Sequence, residues 1–257
     1  MRVLRGIRSF FGVVGCLFLL GVCGPLILYF VVVPLIALGP WRRIELGTRW
    51  VTWIAKSLVW ILRAGGATFD LEGEIDCAQP GVVIMNHQSV LEIPGLVHIL
   101  RPRLPRFVAR SRYAWMVPTV SRAISYLDCI VIDPRRDRAG AVVAIKQAAE
   151  EGLHHAVMLF PEGHRTQDGE IAPFRPAGMI ALLEGRSLPV WTIVGDGFWR
   201  FRKVMNTFFG LGEVRGRMKV VERAMSPLNP DELSAFIEER RQNMIRELAR
   251  MRTEATR

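Results

Sequence analysis

The hydrophobic pattern divides the chain into an apolar N-terminal part and a longer part in which apolar and polar runs alternate. No charged residue lies between Arg8 and Arg42. An uninterrupted apolar stretch of this length is typical of a membrane segment. We therefore expect a membrane-anchoring region over residues 1–65, and a globular domain with a C-terminal surface helix over residues 66–257.

The apolar run is longer than a single straight membrane span, which needs about 20 residues. Pro25 and Pro34 interrupt it, and each removes a backbone hydrogen-bond donor. The positive-inside rule does not determine the orientation of this run, because arginines flank it almost equally on both sides, at positions 2, 5, 8, 42, 43 and 49. These features favour a kinked hairpin that enters and leaves one leaflet. A tilted single span and a cleaved signal peptide are the alternatives.

The next segment, IELGTRWVTWIAKSLVWILRAGG, has the pattern of an amphipathic helix. Arg49, Lys56 and Arg63 repeat every seven residues, and apolar residues, including three tryptophans, fill much of the remaining circumference. A basic stripe beside tryptophans is typical of a helix that lies in the headgroup region of a bilayer. The same periodicity also fits a helix packed on the protein's own core.

From residue 67 onward, short β-branched runs alternate with helical patterns, which predicts an α/β domain with a mostly parallel sheet flanked by helices. A helix is expected over AGAVVAIKQAAEEG, ending at Gly152, and another from Pro230 to Arg252 with Asn229 as its N-cap. Functional loops are expected at the carboxyl ends of the strands. The strand candidates are ATFDLEG, GVVIM, RFVA, CIVID, AVMLF, PVWTIV and RMKVV.

The stretch IMNHQSVLEIPG places His87 five residues before Glu92. Ser89 and Glu92 have the spacing of a capping box, which would occupy both side chains at the start of a helix. Pro94 disfavours this interpretation, because a helix starting one residue after Ser89 would need the amide hydrogen that proline lacks. We expect a loop over residues 86–93 and a helix that begins at Pro94.

A loop would allow His87 and Glu92 to meet, whereas residues five apart on a regular helix point in different directions. A carboxylate bonded to one imidazole nitrogen leaves the other nitrogen able to take a proton from a hydroxyl group. His87 and Glu92 are therefore candidates for a general base and its orienting carboxylate.

A second polar motif, AVMLFPEGHRTQDG, follows an apolar strand candidate. Gly163 allows close approach of a ligand to the backbone, and Arg165 offers a planar fork that suits phosphate. The motif could equally be an ordinary turn, because proline and glycine are common where strands end. The histidines at 154, 155 and 164 and Glu162 show no known metal-ligand spacing, so no metal site is expected.

The net charge of +10 and the pI near 10.3 predict attraction to nucleic acid, to an anionic bilayer or to a phosphorylated small molecule. The basic residues are dispersed and form no known nucleic-acid module, which disfavours the first of these. Arg135 and Arg136 follow the strand candidate CIVID and could hold a phosphate or form a solvated face. The four cysteines have no spacing that indicates zinc or a disulfide framework.

Taken in order, NHQSVLE, CIVIDPRR, FPEGHR and LPV resemble the motifs of glycerolipid acyltransferases, especially 1-acylglycerol-3-phosphate acyltransferases. The resemblance spans residues 67 to about 222. Three positions depart from the family pattern. Glu92 stands where aspartate is usual, Pro134 stands where the second motif has arginine, leaving Arg135 or Arg136 to substitute, and His164 replaces threonine.

The resemblance implies a glycerol-3-phosphate acyltransferase-like fold and transfer of an acyl group from acyl-CoA or acyl carrier protein to the sn-2 hydroxyl of a lysophosphatidic acid. His87 would be the general base and Glu92 its partner, and Arg165 would contact the acceptor phosphate. No metal or redox cofactor is implied. The expected substrate-binding residues are Asn86, Arg135, Arg136, Glu162, Gly163 and Arg165.

The resemblance also implies a bilayer as the working environment, since acceptor and product are lipids. We expect the inner membrane of a bacterium, with the catalytic domain on the cytoplasmic side. The departures leave another lysolipid or an acyl-amino-acid lipid of the ornithine type as alternative acceptors. A noncatalytic lipid-binding protein is a further alternative, and the sequence leaves the oligomeric state open.

Overall fold

A computed structural model describes residues 2–151, 154–201 and 204–255. The chain forms a seven-stranded sheet in the order β1-β9-β8-β3-β7-β5-β6, together with a separate two-stranded pair, β2-β4. The strands are β1 Thr68–Glu72, β2 Ile75–Asp76, β3 Gly81–Met85, β4 Leu100–Arg101, β5 Arg106–Arg110, β6 Ile130–Ile132, β7 Ala156–Leu159, β8 Pro189–Asp196 and β9 Arg215–Met225.

Helices precede, separate and follow these strands. They are α1 Arg2–Phe18, α2 Gly24–Ile27, α3 Val33–Leu38, α4 Arg43–Ala64, α5 Glu92–Ile99, α6 Tyr113–Met116, α7 Pro118–Tyr126, α8 Arg138–Glu150, α9 Pro176–Leu183, α10 Val204–Gly210 and α11 Pro230–Glu254.

The large sheet is mostly parallel, as the sequence predicts, and each of the seven strand candidates contributes a strand. Among the strands of this sheet that the structure describes, only the β8–β9 pair is antiparallel. The carboxyl ends of β3, β5, β6, β7 and β8 therefore meet at one edge of the sheet, where α/β proteins place their functional loops. The β2-β4 pair was not predicted, because two-residue strands leave almost no periodic signal.

The sheet is covered by helices on both faces, and β3 lies at its centre. Val83 and Met85 pack into one hydrophobic core, to which α4 and α5 contribute. Val82 and Ile84 pack into the other, to which α8, α9 and α11 contribute. Because β3 is buried on both faces, its sequence is continuously apolar and does not alternate.

The N-terminal apolar run forms one continuous helix from Val3 to Leu38, long and apolar enough to cross a membrane. It comprises α1 to α3 joined by two π-helical segments, Leu19–Cys23 and Leu28–Val32, each just before a proline. The wider π turns accommodate the missing proline donors without breaking the helix. The expected hairpin within the apolar run is therefore wrong: the chain reverses only after Gly39, in a 3-10 turn that leads into α4.

Helix α4 combines the two interpretations of its sequence. One face packs on the protein, where Trp50 is buried and its indole N–H donates to the carbonyl of Gly24 in the N-terminal helix at 3.2 Å. Trp60, in contrast, is 72% exposed. The helix is thus held by core packing on one side and keeps an aromatic and basic outer surface.

The two longest predicted helices of the sheet domain are present. Helix α8 covers Arg138–Glu150, and Gly152, the expected stop signal, lies outside the described residues. Helix α11 extends two residues beyond the expected Arg252, and the Asn229 side chain accepts a hydrogen bond from the Asp231 amide, which confirms the predicted N-cap.

Candidate active site

Asn86, the first residue after β3, joins the ends of two central strands. Its side-chain amide donates to the Gly195 carbonyl and accepts from the Gly195 amide, both at 2.8 Å. The side chain is buried, and Gly195 lies near the end of β8. Asn86 therefore fixes the exit of β3 from the sheet through both halves of its amide, and its expected contact with substrate stays a prediction.

The loop after β3 is shorter than predicted, because α5 begins at Glu92 and not at Pro94. Pro94 then occupies the third position of the helix. The first amide hydrogens of a helix have no partner within it, so a proline there costs no hydrogen bond. The predicted start at Pro94 was therefore two residues too late, and the rejected capping-box start at Val90 would have been two residues too early.

The Glu92 carboxylate binds the histidine and caps the loop at the same time. Its Oε2 lies 2.9 Å from Nδ1 of His87, and its Oε1 accepts from the amides of Gln88 at 2.6 Å and Ser89 at 2.7 Å. The side chain is wholly buried. The Ser89 hydroxyl donates to the Phe201 carbonyl and accepts from the Leu91 amide at 3.3 Å, so the glutamate half of a capping box is present, whereas the serine bonds the amide of Leu91 and not that of Glu92. The catalytic and the structural interpretations of this motif are therefore compatible.

The His87 ring is held in one orientation. It stacks on Phe160, the residue after β7, with ring centroids 4.1 Å apart and planes 23° apart. A carboxylate at Nδ1 favours the tautomer whose proton is on that nitrogen, which leaves the lone pair on Nε2. With 18% of its side chain exposed, the histidine is largely shielded but still reachable.

Glu162 fixes the backbone of His87 from the second motif. Its two carboxylate oxygens accept from the amides of His87 at 2.7 Å and Ala172 at 2.9 Å. The Thr166 amide donates to the His87 carbonyl at 2.8 Å, so the loop bonds both backbone groups of the histidine. Burial raises the pKa of Glu162 above its usual range, and the two amide bonds oppose the rise. The Glu162 side chain has no exposed surface, so the structure shows it holding the backbone, and its expected contact with the acceptor stays a prediction.

Positive charge gathers around Gly163. Arg110, at the carboxyl end of β5, donates to the Gly163 carbonyl. Gly163 has a φ of 71°, and a Cβ atom there would lie 3.0 Å from Cδ of Arg175. Burial lowers the pKa of Arg110, and repulsion from Arg112, Arg135 and Arg175 lowers it further. Guanidinium groups that repel one another in this way are suited to binding an anion.

The three arginines predicted from the sequence occupy different environments. Arg135 is exposed but close enough to Arg110 to influence its pKa. The Arg136 side chain is 90% exposed and makes only a long ion pair, 3.9 Å, with Asp133. Arg165 is half-buried in the loop that also contains Gly163. Arg165 thus lies in the loop that bonds the His87 backbone, Arg135 is linked to this region only through its charge effect on Arg110, and Arg136 faces solvent.

Sequence reasoning missed Arg110 and Arg175, which approach Gly163 from two other segments. Arg110 is the last residue of a predicted strand, so the rule that functional residues follow strand ends could have identified it. Arg175 precedes α9 and had no comparable signal. Within the described residues, no group of three or more His, Cys, Asp or Glu side chains could hold a metal ion.

A buried polar network supports the histidine loop from behind. Gln88 donates to Asp196 Oδ1 at 3.3 Å and accepts from the Phe198 amide at 3.0 Å. Arg252, in the last turn of α11, lies 3.3 Å from Asp196 Oδ2 and donates to the Gly169 carbonyl at 2.8 Å. We call these contacts the Asp196 network; they connect the C-terminal helix to the residue beside His87.

The comparison with known protein families agrees with this geometry. Residues 68–195, which include His87, Glu92 and the loop of Gly163, match the family model described as Acyltransferase. Through residues 68–195 the chain carries an acyltransferase family domain. The family match begins with β1 and ends within β8, so it covers the central strands that carry the candidate site.

Individual relatives of this acyltransferase domain carry more specific names. The chain is 26% identical over 139 residues to human 1-acyl-sn-glycerol-3-phosphate acyltransferase beta, covering 53% of this chain and 49% of that protein. It is 28% identical over 162 residues to the 1-acyl-sn-glycerol-3-phosphate acyltransferase of Limnanthes douglasii, covering 62% and 54%. The matched part thus spans about half the length of these relatives.

The fold also matches a solved structure. The crystal structure of the 1-acyl-sn-glycerophosphate acyltransferase PlsC from Thermotoga maritima has a TM-score of 0.74 to this chain, with 19% sequence identity. The match covers 97% of this chain and 98% of that one. The likeness therefore includes the N-terminal helices as well as the acyltransferase domain.

Proposed function

We propose that the protein transfers a fatty acyl group from a thioester, acyl-CoA or acyl carrier protein, to the sn-2 hydroxyl of 1-acyl-glycerol-3-phosphate, giving phosphatidic acid. The observation that carries the proposal is the contact between Nδ1 of His87 and a buried carboxylate, beside a loop around which several arginines gather. A histidine held in this way suits general-base catalysis, and the arginines suit a phosphate. The names of the relatives favour the same reaction.

The proposed reaction begins at Nε2 of His87, which takes the proton of the acceptor hydroxyl as its oxygen attacks the thioester carbonyl carbon. The resulting tetrahedral intermediate carries its negative charge on the former carbonyl oxygen. When the carbonyl re-forms, the carbon–sulfur bond breaks and the leaving thiolate takes the proton from the imidazolium. Glu92 stabilises that imidazolium and keeps Nδ1 protonated throughout.

Arg110, Arg165 and Arg175 are the proposed ligands of the acceptor phosphate. Arg110 and Arg175 both approach Gly163, and Arg165 lies two residues further along the same loop. The hydrogen bonds of Glu162 and Thr166 to the His87 backbone fix this loop to the histidine. A phosphate held there would place the adjacent glycerol hydroxyl beside the base. No metal or redox cofactor takes part in this scheme.

The N-terminal helix favours a membrane as the site of action. It is long and apolar enough to span a bilayer, and only 28% of its most apolar window is buried. Both lysophosphatidic acid and phosphatidic acid reside in bilayers. We place the acyltransferase domain at the cytoplasmic face of a bacterial inner membrane, where the thioester donors are made available.

The test is acceptor-dependent thiol release by the full chain reconstituted in membranes, with palmitoyl-CoA and palmitoyl-acyl carrier protein as donors. With lysophosphatidic acid we expect release by the wild type and a loss of about 10²- to 10⁴-fold in His87→Ala, the usual contribution of a general base. If neither donor gave acceptor-dependent thiol release, the proposed acyltransferase activity would be refuted. Preference for a phosphate-free acyl-ornithine acceptor would refute the lysophosphatidic acid assignment.

A further inference from the structure

A cavity lies away from His87, between the N-terminal helix and the helices that follow β5. Its volume is about 360 Å³. The N-terminal helix contributes Tyr29, α6 contributes two residues, and α7 contributes most of the remainder. We call it the Arg122 pocket; its lining includes Tyr29, Ala114, Trp115, Ser121, Arg122 and Ser125.

The pocket is cationic. The guanidinium of Arg122 lies over the ring of Tyr29, 5.8 Å from its centroid. Arg43, at the start of α4, donates to the carbonyl of Ser125 at 3.2 Å and to its hydroxyl at 3.3 Å. None of the residues that line the pocket is acidic. Arg122 in the lining, with Arg43 bonded to Ser125 at its edge and no carboxylate among the lining residues, favours an anionic ligand.

The surface beside the pocket is apolar. Leu26 and Val33 lie about one turn before and after Tyr29 on the N-terminal helix, and both are exposed, by 50% and 37%. Trp115, in the pocket lining, is 76% exposed, as expected for a tryptophan at a membrane interface. A small soluble anion would use only the arginines, whereas a ligand with an anionic head and hydrocarbon chains would use both surfaces.

We propose that the Arg122 pocket binds the phosphate of an anionic phospholipid of the surrounding bilayer, with the acyl chains along the exposed face of the N-terminal helix near Tyr29. The lipid would be a stably bound structural lipid and not a substrate, since the pocket shares none of its lining with the histidine loop. The site is therefore independent of the proposed reaction, and lipid binding tests it without an activity assay.

The experiment is native mass spectrometry of the detergent-solubilised full chain titrated with dioleoyl phosphatidylglycerol or, for comparison, dioleoyl phosphatidylcholine. We expect wild type to retain phosphatidylglycerol preferentially, and Arg122→Met to weaken its binding about fivefold, as for the loss of one arginine at a membrane surface. Arg122→Lys, which keeps the charge, should retain most of the affinity. Arg136→Met is the matched control, because Arg136 is highly exposed on a different loop.

Two results would overturn the proposal. Equal phosphatidylglycerol binding by wild type and Arg122→Met would show that the pocket is not the site, and an equal loss in Arg136→Met would show diffuse attraction by the whole surface. A further arm adds inorganic phosphate. If inorganic phosphate displaced the bound lipid at the same concentration as free phosphatidylglycerol does, the pocket would be a simple oxyanion site. We expect phosphate not to displace the lipid at that concentration.

Discussion

At the scale of single residues, Glu92 has the most constrained position in the site. One oxygen holds Nδ1 of His87, and the other holds the two amides that shape the loop. The family resemblance leads one to expect aspartate at this position, and the longer glutamate side chain satisfies both requirements from the first residue of α5. The substitution in the motif is thus accommodated by local geometry and does not remove the contact with the histidine.

Glu92→Gln should inactivate the enzyme while leaving the loop intact. The glutamine oxygen can still accept from the amides of Gln88 and Ser89, but its nitrogen would donate to Nδ1 and force the proton onto Nε2 of His87. We expect kcat to fall by about 10⁴-fold, as for the wrong tautomer in serine proteases, with little change in KM for the thioester. Kinetics of thiol release measure both parameters.

Glu92→Asp is the matched control because it keeps the charge and the preferred tautomer. We expect a much smaller loss of kcat than in Glu92→Gln, since the shorter side chain weakens contacts without reversing a donor and an acceptor. Near-normal kcat in Glu92→Gln would contradict the role of His87 as general base.

Arg110→Met should weaken binding of the phosphorylated acceptor specifically. Because Arg110 contacts Gly163 and repels the neighbouring arginines, its charge belongs to the proposed phosphate site. A charge-assisted hydrogen bond contributes about 1.5–3 kcal/mol, so KM for lysophosphatidic acid should rise about 10- to 150-fold while KM for the thioester changes little. Arg136→Met should leave both unchanged, because Arg136 faces solvent. Similar increases in both variants would refute the assignment.

At the scale of secondary-structure elements, the sequence predicts the strands well and the loop contacts only in part. The buried strands were recognisable because continuous β-branched runs such as GVVIM are rare outside parallel sheets. The contact between His87 and Glu92 was predicted from their spacing, from Pro94, which indicated a loop, and from the family resemblance. Arg110 reaches Gly163 through the strand order, which places β5 beside β7 and which a single sequence does not specify. Arg175 lies in the same connection from β7 to α9 as Gly163, but the path of that loop has no sequence signal.

The same limit applies to Asn86 and Glu162, which were expected to bind substrate. Their motif position suggested chemistry, but each is buried and bonded to backbone groups far away in sequence. A polar residue beside a catalytic group can either contact the substrate or hold the backbone in place. Only the tertiary partners decide between these roles, and both residues here hold the backbone.

The C-terminal helix should affect catalysis through Arg252. This residue joins α11 to Asp196 and Gly169, and Asp196 bonds Gln88 beside the histidine. We expect Arg252→Met to lower kcat several-fold and to lower the thermal midpoint, because Asp196 and the Gly169 carbonyl would each lose a partner. Arg250→Met is the matched control, since Arg250 pairs only with Glu247 and Glu254 on its own helix.

Measurements of kcat and KM, and of rescue by a conservative variant, distinguish a positioning role of Arg252 from an effect on protein stability alone. If Arg252 positions the histidine loop, kcat should fall below that of Arg250→Met at temperatures where both variants are fully folded, and Arg252→Lys should recover part of it. Equal kcat values for Arg252→Met and Arg250→Met under those conditions would restrict the Asp196 network to a purely structural role.

At the scale of the whole molecule, the surface is divided between an apolar N-terminal helix and a basic α/β domain. The helix keeps large apolar side chains exposed, whereas α4 packs its inner face into the same core as the sheet. The apolar N-terminal helix and the acyltransferase domain therefore share one hydrophobic core through α4. The sequence indicated both parts, but it could not show that the boundary near residue 65 is packed and not a flexible linker.

Phe30→Glu should weaken membrane association of the full chain. Phe30 is 76% exposed in the middle of the apolar helix, and an acidic side chain near the centre of a membrane segment costs about 3 kcal/mol, or roughly 100-fold in partitioning. Val143→Glu is the matched control, because Val143 is 62% exposed on α8 in the sheet domain. Flotation with lipid vesicles measures the bound fraction. We expect Val143→Glu to float like wild type and Phe30→Glu to remain largely unbound, and equal flotation of the two variants would show that the exposed face around Phe30 does not enter the bilayer.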